Sequence, residues 1–453
     1  MTRNELADLD REALIELILA LQAEVEALRL KLEKKNKPPS NSGNSSQPPS
    51  KDWKSNLPAK RRRRRHGPPL GHEKHEREFV ANPDHIVEVK AQVCEHCQTD
   101  LRQEAQDLVE VNQVAELPPA QAEVIEVRQY RAVCPGCGVE QVGQPPAGLE
   151  MQRTFGARLE SMVVYYRQEQ HLSYQRTLET LQNLHGVQIS QGGIDQIMQR
   201  AGREAMKQVG AIQSDIQQSA VVYCDETGSR VEGQNWWQWV FSSTRAVLHV
   251  IRFNRSADVI RDVMDGHQVE VWVSDCLPAQ LLAPAQQRQL CLAHQLRNLQ
   301  ALIDHYPKYT WPIEMQELFR SAIHLHHQRD QLAPPHFQAQ VRKLERRCDQ
   351  LLKRNLRRPQ ARKLLRRYQK HRQALFVFLH RTDVEPTNNL SERNLRPSVI
   401  HRKVIGCFRS GWGARTYAAL ASIIDTAALK AMPPFQAILH LFGPPALPLP
   451  AGG

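Results

Sequence analysis

The sequence predicts a multidomain α/β protein whose largest domain, residues 219–430, is interrupted by a helical insertion. The chain of 453 residues is too long for one ordinary domain. From residue 219, short apolar segments with the composition of β-strands follow one another, with one short helical segment among them. Residues 293–380 contain many Leu, Gln, Arg and Lys residues and few β-formers, which is typical of helices. We therefore expect an α/β core with its insertion at about 293–380.

Five β-strands are predicted in this core, the first three of them antiparallel. They are expected at 220–225, 236–242, 247–253, 269–274 and 289–292, with a helix at 259–264. Trp236, Trp237 and Trp239 are interpreted as core and sheet-face residues rather than as platforms on which nucleic-acid bases stack. Two of the predicted strands end in an acid, Asp225 and Asp275.

The composition indicates a cytoplasmic protein with a polyanionic partner. The formal net charge of +12 favours nucleic acid first and an anionic membrane surface second. No apolar run reaches the roughly 18 residues that a membrane span needs, and the first residues lack the pattern of a signal peptide. Nine cysteines, four of them in two close pairs, fit a metal site in a reducing compartment better than a secreted disulfide framework.

Residues 1–35 predict an amphipathic helix through which copies of the chain associate. Its apolar residues alternate by four and three positions, as in a coiled-coil seam; they are Leu14, Ile18, Leu21, Val25, Leu28 and Leu32. A single helix packed on its own domain is the alternative.

Residues 36–75 predict a flexible linker that opens with Pro, Ser, Asn and Gly. This linker contains a basic run, Arg61, Arg62, Arg63, Arg64 and Arg65. We expect the run to contact DNA phosphates; the alternative is a solvated tail.

Residues 76–147 predict a zinc-binding module with four cysteine ligands. Cys94 and Cys97 form one C-x-x-C pair, and Cys134 and Cys137 form a second. Each pair offers two thiolates to one tetrahedral zinc ion. A redox-active C-x-x-C is the alternative, but it needs only one pair. Short β-type runs at 86–89 and 124–127 are expected to flank the pairs.

Residues 150–210 predict a helical segment. Two apolar-periodic stretches are separated by Gly186 and by a helix-start signal at Ser190. This pattern suits a helix–turn–helix, although any pair of packed helices would produce it. Residues 431–453 are expected to be a C-terminal tail.

Asp225 and Asp275 are candidate ligands of divalent metal ions, because adjacent strand ends would bring them to one rim of a sheet. Nuclease chemistry uses two metal ions about 3.5–4 Å apart, held by carboxylate oxygens. The third acid would be Glu392, in the predicted helix that follows the insertion. Glu226 and Glu385 are the rivals of Asp225 and Glu392.

Several motifs together resemble the transposases of the insertion sequence 66 family. They are Tyr223-Cys224-Asp225-Glu226-Thr227-Gly228, Val273-Ser274-Asp275, Cys291-Leu292-Ala293-His294 with Arg297, and Asn388-Asn389-x-x-Glu392-Arg393-x-x-Arg396-Pro397. The order of leucine-rich helix, polar linker, arginine run, four-cysteine module and helical segment is also similar to that family. The resemblance covers nearly the whole chain, and the ordered combination is more specific than any one motif.

The resemblance implies a ribonuclease-H-like catalytic domain with an Asp-Asp-Glu triad, carried over onto Asp225, Asp275 and Glu392. It implies an enzyme that cleaves the terminal inverted repeats of an insertion sequence and joins them to target DNA, with Mg²⁺ or Mn²⁺ at the triad and structural Zn²⁺ elsewhere. Arg393 and Arg396 would then hold DNA phosphates beside Glu392.

The insertion is expected to follow the DNA backbone, because residues 342–372 contain fourteen Lys and Arg residues and two acids. Cys291 and His294 could form half of a second zinc site, but a hydrogen-bonded structural role fits them better. Two other functions remain open. One is a zinc-dependent DNA-binding regulator without catalysis, and the other is a structure-specific nuclease.

Overall fold

The computed structural model describes residues 21–22, 24–26, 78–117 and 122–443. Contacts divide the chain into a large unit, chiefly residues 125–180 and 188–443, and a small unit that includes residues 78–117 and 181–187, and each is described by itself. Most of the predicted coiled coil and the whole arginine run lie outside the described residues. Two residues of the predicted coiled-coil seam are described: Leu21 and Val25 are helical, and their side chains are about half exposed.

The cysteine pairs lie in segments with little regular structure. Strands β1 (Arg131–Val133) and β2 (Glu140–Val142) form an antiparallel ribbon around the second pair, and a single bridge joins Val93 to Asp100 around the first. The β-runs predicted at 86–89 and 124–127 are wrong, since neither segment is a strand and most of their apolar side chains are exposed. They have no partner strand to bond with in the described residues, so their β-propensity has no effect.

A five-stranded sheet is the centre of the large unit. Its strands are β3 (Val221–Val231), β4 (Gln234–Ser242), β5 (Val247–Arg252), β6 (Val269–Ser274) and β7 (Ala285–Leu290). Their order is β5-β4-β3-β6-β7; β3, β4 and β5 are antiparallel, and β6 and β7 run parallel to β3. All five predicted strands are present, although the last lies a few residues earlier than expected. The predicted end of the first strand at Asp225 is wrong, because β3 pairs with β4 as far as Val231, and Asp225 lies within the strand.

The β3–β4 hairpin sets the register of the sheet's long strands. Val231 pairs with Gln234, so the loop contains only Glu232 and Gly233, both with positive φ. Such a two-residue turn matches the right-handed twist of the strands that it joins. Trp239 of β4 is fully buried, as its interpretation as a packing residue requires. Trp272 of β6 is also fully buried.

Helices surround the sheet and fill the insertion. They are α1 (Ala157–Gln168), α2 (Tyr174–His185), α3 (Gln191–Gln217), α4 (Ala257–Met264), α5 (Leu292–His305), α6 (Thr310–His327), α7 (Pro334–Leu352), α8 (Pro359–Lys370), α9 (Val377–His380), α10 (Asn389–Ile405), α11 (Gly411–Ala428) and α12 (Pro434–Phe442). Helix α10 packs on β3 and β4, and α11 packs on β5 and α3. Gly202 allows α3 and α11 to approach, since a Cβ atom there would collide with Thr416.

The insertion, α5 to α9, shares one hydrophobic core with the sheet. Tyr223, Val271 and Val273 of β3 and β6 belong to the same buried cluster as the aromatic residues of the insertion. Trp311 and Tyr368 stack on each other inside it and are almost fully buried. The insertion is therefore held rigidly against the face of the sheet to which these strand residues point.

The segment before the sheet contains the predicted helices. Helix α3 begins after Ser190, whose hydroxyl accepts a hydrogen bond from the Gly193 N–H, so the predicted helix start is confirmed. The apolar residues Ile194 and Ile197 are buried. Helix α12 lies in the region predicted to be a tail, and it packs on α1 and α11. No helix in the described part of the chain is both long and apolar enough to cross a membrane.

Candidate active site and metal centres

Asp225 and Asp275 lie on neighbouring parallel strands. Tyr223 of β3 is paired with Val273 of β6, so the two aspartates, each two residues further on, come side by side. Side chains two residues apart share a face of the sheet. Asp225 therefore points to the same face as Tyr223, which is the face covered by the insertion and by α10.

Glu226, the rival of Asp225, points to the opposite face and is already occupied. Its Oε1 accepts hydrogen bonds from Nε and Nη2 of Arg255 at 3.0 and 2.5 Å, and its Oε2 accepts one from Gln280 Nε2 at 2.9 Å. Gln280 is fully buried and accepts a further hydrogen bond from Trp272 Nε1. The alternation of side chains along β3 thus places Glu226, which is fixed by hydrogen bonds, on one face of the sheet and Asp225 on the face that the helices cover.

Glu392 lies in the first turn of α10, and Asn388 ties this helix end to β3. The Asn388 Nδ2 donates to the carbonyl oxygen of Cys224, the residue before Asp225, at 2.8 Å. The Asn388 backbone N–H donates to Cys291 Sγ at 3.1 Å. Asn388 is fully buried, so it fixes the beginning of α10 relative to the first aspartate.

Glu385, the rival of Glu392, faces elsewhere. Its carboxylate is 3.8 Å from His326 Nε2 of the insertion, and its side chain is mostly exposed. Its backbone N–H donates to the Tyr223 hydroxyl at 2.9 Å. Glu392, by contrast, is close enough to Asp225 to raise the pKa of that aspartate.

The acids of the site are partly buried and crowded. Burial raises the pKa of Asp225 well above its usual value, and the charges of Glu226, Asp275 and Glu392 raise it further. Burial also raises the pKa of Asp275, against the opposing effects of the Leu277 N–H and of Arg255, Arg367 and Arg297. Divalent cations would relieve this repulsion, so the carboxylates fit such ions.

Two residues of α5 reach Glu392 from the insertion. Arg297 Nη2 donates to Glu392 Oε1 at 3.2 Å, and His294 Nδ1 lies 3.5 Å from the same oxygen. Burial, together with the positive charge of Arg297, lowers the pKa of His294 to about 4, so the imidazole is neutral. Burial raises the pKa of Cys291 to about 12.

Cys291, His294 and Glu392 form a compact group in the described residues, with ligand atoms all within 4.8 Å of one another. The three predicted acids, Asp225, Asp275 and Glu392, do not form a group as compact as this among the described residues. Two ions about 3.5–4 Å apart would spread three carboxylates over a wider site.

The two cysteine pairs adopt the same backbone turn. The N–H of Gln98 donates to the carbonyl of Cys94, and the N–H of Gly138 donates to that of Cys134, both at 2.8 Å. Gln98 and Gly138 both have a positive φ. The N–H groups of Gly136 and Cys137 lower the pKa of Cys134. Donors aimed at a sulfur atom stabilise a thiolate, which is the form that binds zinc.

Comparison with known families gives two matches. Residues 152–416, more than half of the chain, match the model of the transposase IS66 family. Residues 91–138 match the zinc-finger binding domain of transposase IS66. The chain belongs to the IS66 family of transposases. No curated protein matches it.

Membership of this family confirms the resemblance found in the motifs. It identifies a transposase with a zinc-finger DNA-binding domain, which supports structural zinc, DNA as the partner and a divalent metal ion for the reaction. The family zinc-finger region includes both cysteine pairs, and the main family region includes Asp225, Asp275 and Glu392.

The basic residues predicted to bind DNA differ in their availability. Arg393 and Arg396 are exposed on α10. In the insertion, Arg347 and Arg354 form ion pairs with Glu314 of α6, and Arg372 pairs with Asp349. Part of the basic surplus in residues 342–372 is therefore neutralised within the insertion. Arg61, Arg62, Arg63, Arg64 and Arg65 lie outside the described residues.

Sequence reasoning missed Arg255 and Gln280. Arg255 also lies over the ring of Trp237, 4.5 Å from its centre, so it joins β4 to the carboxylate of Glu226. Neither residue belongs to a recognisable motif. Arg255 reaches the site from a loop and Gln280 from a short 3-10 helix, and the path of both segments depends on the folded sheet. Asn388 and Arg297 were within the family motifs, but the sequence did not show what they contact.

Proposed function

We propose that this transposase binds the ends of an insertion sequence and cuts and joins DNA strands at Asp225, Asp275 and Glu392. The observation that supports this most is the clustering of these partly buried acids, with Asp225 on β3, Asp275 directly after β6 and Glu392 on the facing helix α10. Burial and the charges of the neighbouring acids raise the pKa of Asp225. Asp225, Asp275 and Glu392 would hold two Mg²⁺ or Mn²⁺ ions. Such ions, when bound, activate the attacking oxygen and stabilise the leaving oxygen of a phosphodiester.

The catalytic core in this proposal, within residues 219–430, is ribonuclease-H-like. Three antiparallel strands followed by two parallel ones, in the order β5-β4-β3-β6-β7, support this fold. The insertion enters after β7 and ends before α10, so it separates the two aspartates from Glu392 in sequence while packing against the same sheet.

The proposed reaction has two successive steps, and in each of them the residues of the chain position the DNA. In the first, water attacks a phosphodiester at the end of the element and its P–O bond breaks, which frees a 3′-OH. In the second, that 3′-oxygen forms a bond with a target phosphorus, and the target's own 3′-oxygen leaves. Both steps are in-line displacements that depend on orientation and charge neutralisation. The exposed Arg393 and Arg396, about one turn apart on α10, would hold phosphates beside Glu392.

The remaining segments would bind DNA and assemble the protein. The four cysteines, Cys94, Cys97, Cys134 and Cys137, would hold one zinc ion. The zinc module and helices α2 and α3 would recognise the terminal repeat, and the arginine run would add non-specific affinity for DNA. Residues 1–35 would join copies of the chain in the cytoplasm. The common turn of the two cysteine pairs supports the zinc assignment.

The test is cleavage of DNA that carries the ends of the element by the full chain with Mg²⁺. We expect Asp225→Asn, Asp275→Asn and Glu392→Gln each to slow cleavage by about a thousandfold or more, because several kcal/mol of charge stabilisation would be lost. Asp262→Asn is the control, since this exposed acid of α4 lies outside the site. Unchanged circular dichroism would show that the variants fold.

Three results would contradict the proposal in different ways. Cleavage that survives Asp225→Asn would mean that the triad is wrong. Terminal-repeat binding without any cleavage in Mg²⁺ or Mn²⁺ would indicate the DNA-binding regulator. Cleavage without joining of the freed 3′ end to a second duplex would indicate a structure-specific nuclease.

A further inference from the structure

We propose that His294 is an additional ligand of the metal ion on the Glu392 side of the site, through its Nδ1 atom. This inference rests on the proposed function, because it takes Glu392 to be a metal ligand. It adds a nitrogen donor to a set of oxygen donors. It also gives the Cys-x-x-His motif at the start of the insertion a chemical role.

The contact between two helix ends brings His294 to Glu392. His294 lies in the first turn of α5, and Glu392 lies in the first turn of α10. The two helix ends are joined by hydrogen bonds from the Asn388 N–H to Cys291 Sγ at 3.1 Å and from the Leu292 N–H to the Pro386 carbonyl at 2.9 Å. Cys291 is therefore a positioning residue, whose sulfur accepts a backbone hydrogen bond.

The two side chains are too far apart for a direct hydrogen bond but close enough to share an ion. His294 Nδ1 and Glu392 Oε1 are 3.5 Å apart, whereas N–H···O hydrogen bonds measure about 2.7–3.2 Å. Adjacent ligand atoms of one octahedral ion, each about 2.0–2.1 Å from it, lie about 3 Å apart, so a small side-chain rotation would bring both atoms onto one ion. An imidazole nitrogen without a proton has a lone pair for such an ion.

Several buried polar atoms at this contact have no hydrogen-bond partner. Twelve such atoms occur in the described residues, and four of them, in His294, Gln295, Asn388 and Ser391, belong to the first turn of α5 or the beginning of α10. A buried polar atom without a partner costs about 1–3 kcal/mol. An ion with its bound water would give these atoms partners.

A nitrogen ligand changes which ion the site prefers. Mg²⁺ is bound mainly by oxygen ligands, whereas imidazole suits transition metals. Arg297 donates to the same Glu392 oxygen, so it would neutralise Glu392 until an ion binds. We expect the Glu392 side of the site to favour Mn²⁺ over Mg²⁺.

The experiment is electron paramagnetic resonance of Mn²⁺ added to the zinc-loaded full chain. Electron spin-echo envelope modulation detects a coordinated imidazole nitrogen directly. We expect ¹⁴N coupling in the wild type, its loss in His294→Ala and His294→Gln, and about tenfold weaker Mn²⁺ binding in both. His305→Ala, an exposed histidine at the other end of α5, is the control and should keep the coupling. The Gln variant retains a polar side chain of similar length, and circular dichroism checks its fold.

The outcomes separate this inference from the proposed function. If Mn²⁺ binding is lost in Asp225→Asn and Glu392→Gln but the wild type shows no ¹⁴N coupling, His294 is not a ligand and the triad stands. If the coupling persists in His294→Ala, the inference is overturned. If ¹⁴N coupling from His294 is present but Mn²⁺ binding is unaffected by Asp225→Asn and Asp275→Asn, His294 is a ligand and the proposed triad fails.

Discussion

The cysteine-containing segments and the five-stranded sheet are stabilised by different forces. In the described residues 78–117 and 122–147 no residue is buried, and Val109 and Val124 are 99% and 95% exposed. In the sheet, Trp239 and Trp272 are fully buried. Burial of a large apolar side chain stabilises the folded state by about 1.5–3 kcal/mol. The sheet therefore gains stability from an apolar core, which the cysteine segments lack.

This difference shows where a metal ion is structural and where it is chemical. The cysteine segments have few apolar contacts, and zinc binding would supply their folding free energy. The sheet folds around its own core. Burial disfavours the charged forms of Asp225 and Asp275, and the neighbouring acids add to this effect at Asp225. Metal ions there would serve the reaction.

Removal of zinc is expected to have the largest effect. Structural zinc contributes about 10–16 kcal/mol in small zinc modules, so a chelator should abolish hydrogen-exchange protection of the Cys94 and Cys134 amides. Protection of β3 and β6 should remain, because their core does not depend on zinc. Hydrogen exchange with mass spectrometry measures both. Loss of protection in the sheet together with the cysteine segments would break the comparison.

Replacing Glu169 should stabilise the sheet side in a pH-dependent way. Burial, followed by repulsion from Asp425, raises the pKa of Glu169 from 4.5 to about 7. The folded state therefore holds this proton where the unfolded state releases it, so stability falls as pH rises from about 4.5 to 7 and stays low above it. Glu169→Gln should raise unfolding free energy by about 1–2 kcal/mol at pH 8, allowing for partial exposure.

At pH 4 the same substitution should have almost no effect, because Glu169 is then protonated in both states. Urea unfolding at the two pH values gives the difference. Glu179→Gln, on an exposed part of α2, is the control and should show little pH dependence. A gain at pH 4 equal to that at pH 8 would show that charge burial is not the cause.

The smallest expected effect distinguishes the two cysteine turns. Gln98 and Gly138 occupy the same position with φ of 60° and 72°, a conformation that costs a residue with a Cβ atom about 1–2 kcal/mol. Gly138→Ala should therefore weaken zinc retention by about tenfold, and Gln98→Gly should strengthen it by a similar or smaller factor. Competition with a chromogenic chelator measures both. Gly136→Ala, at a position without positive φ in the same turn, is the control.

The sequence by itself determined the strands, the cysteine pairs and the candidate acids. Apolar runs such as Val221-Val222-Tyr223 and Val271-Trp272-Val273 specify buried strands because burial depends on local composition and alternation. The cysteine turns are also local, since each is closed within six residues. The β-runs at 86–89 and 124–127 were wrong because a strand needs a partner, which propensity does not provide.

Only the tertiary structure decided which acids meet and what holds them. Glu226 and Asp225 are neighbours in sequence, yet the alternation of β3 and the register with β6 place them on opposite faces. Asn388 reaches the carbonyl of Cys224 across 164 positions, and Arg297 reaches Glu392 across 95. Such contacts depend on the packing of α5 and α10 against one sheet, and no local pattern encodes a distance between segments so far apart in the chain.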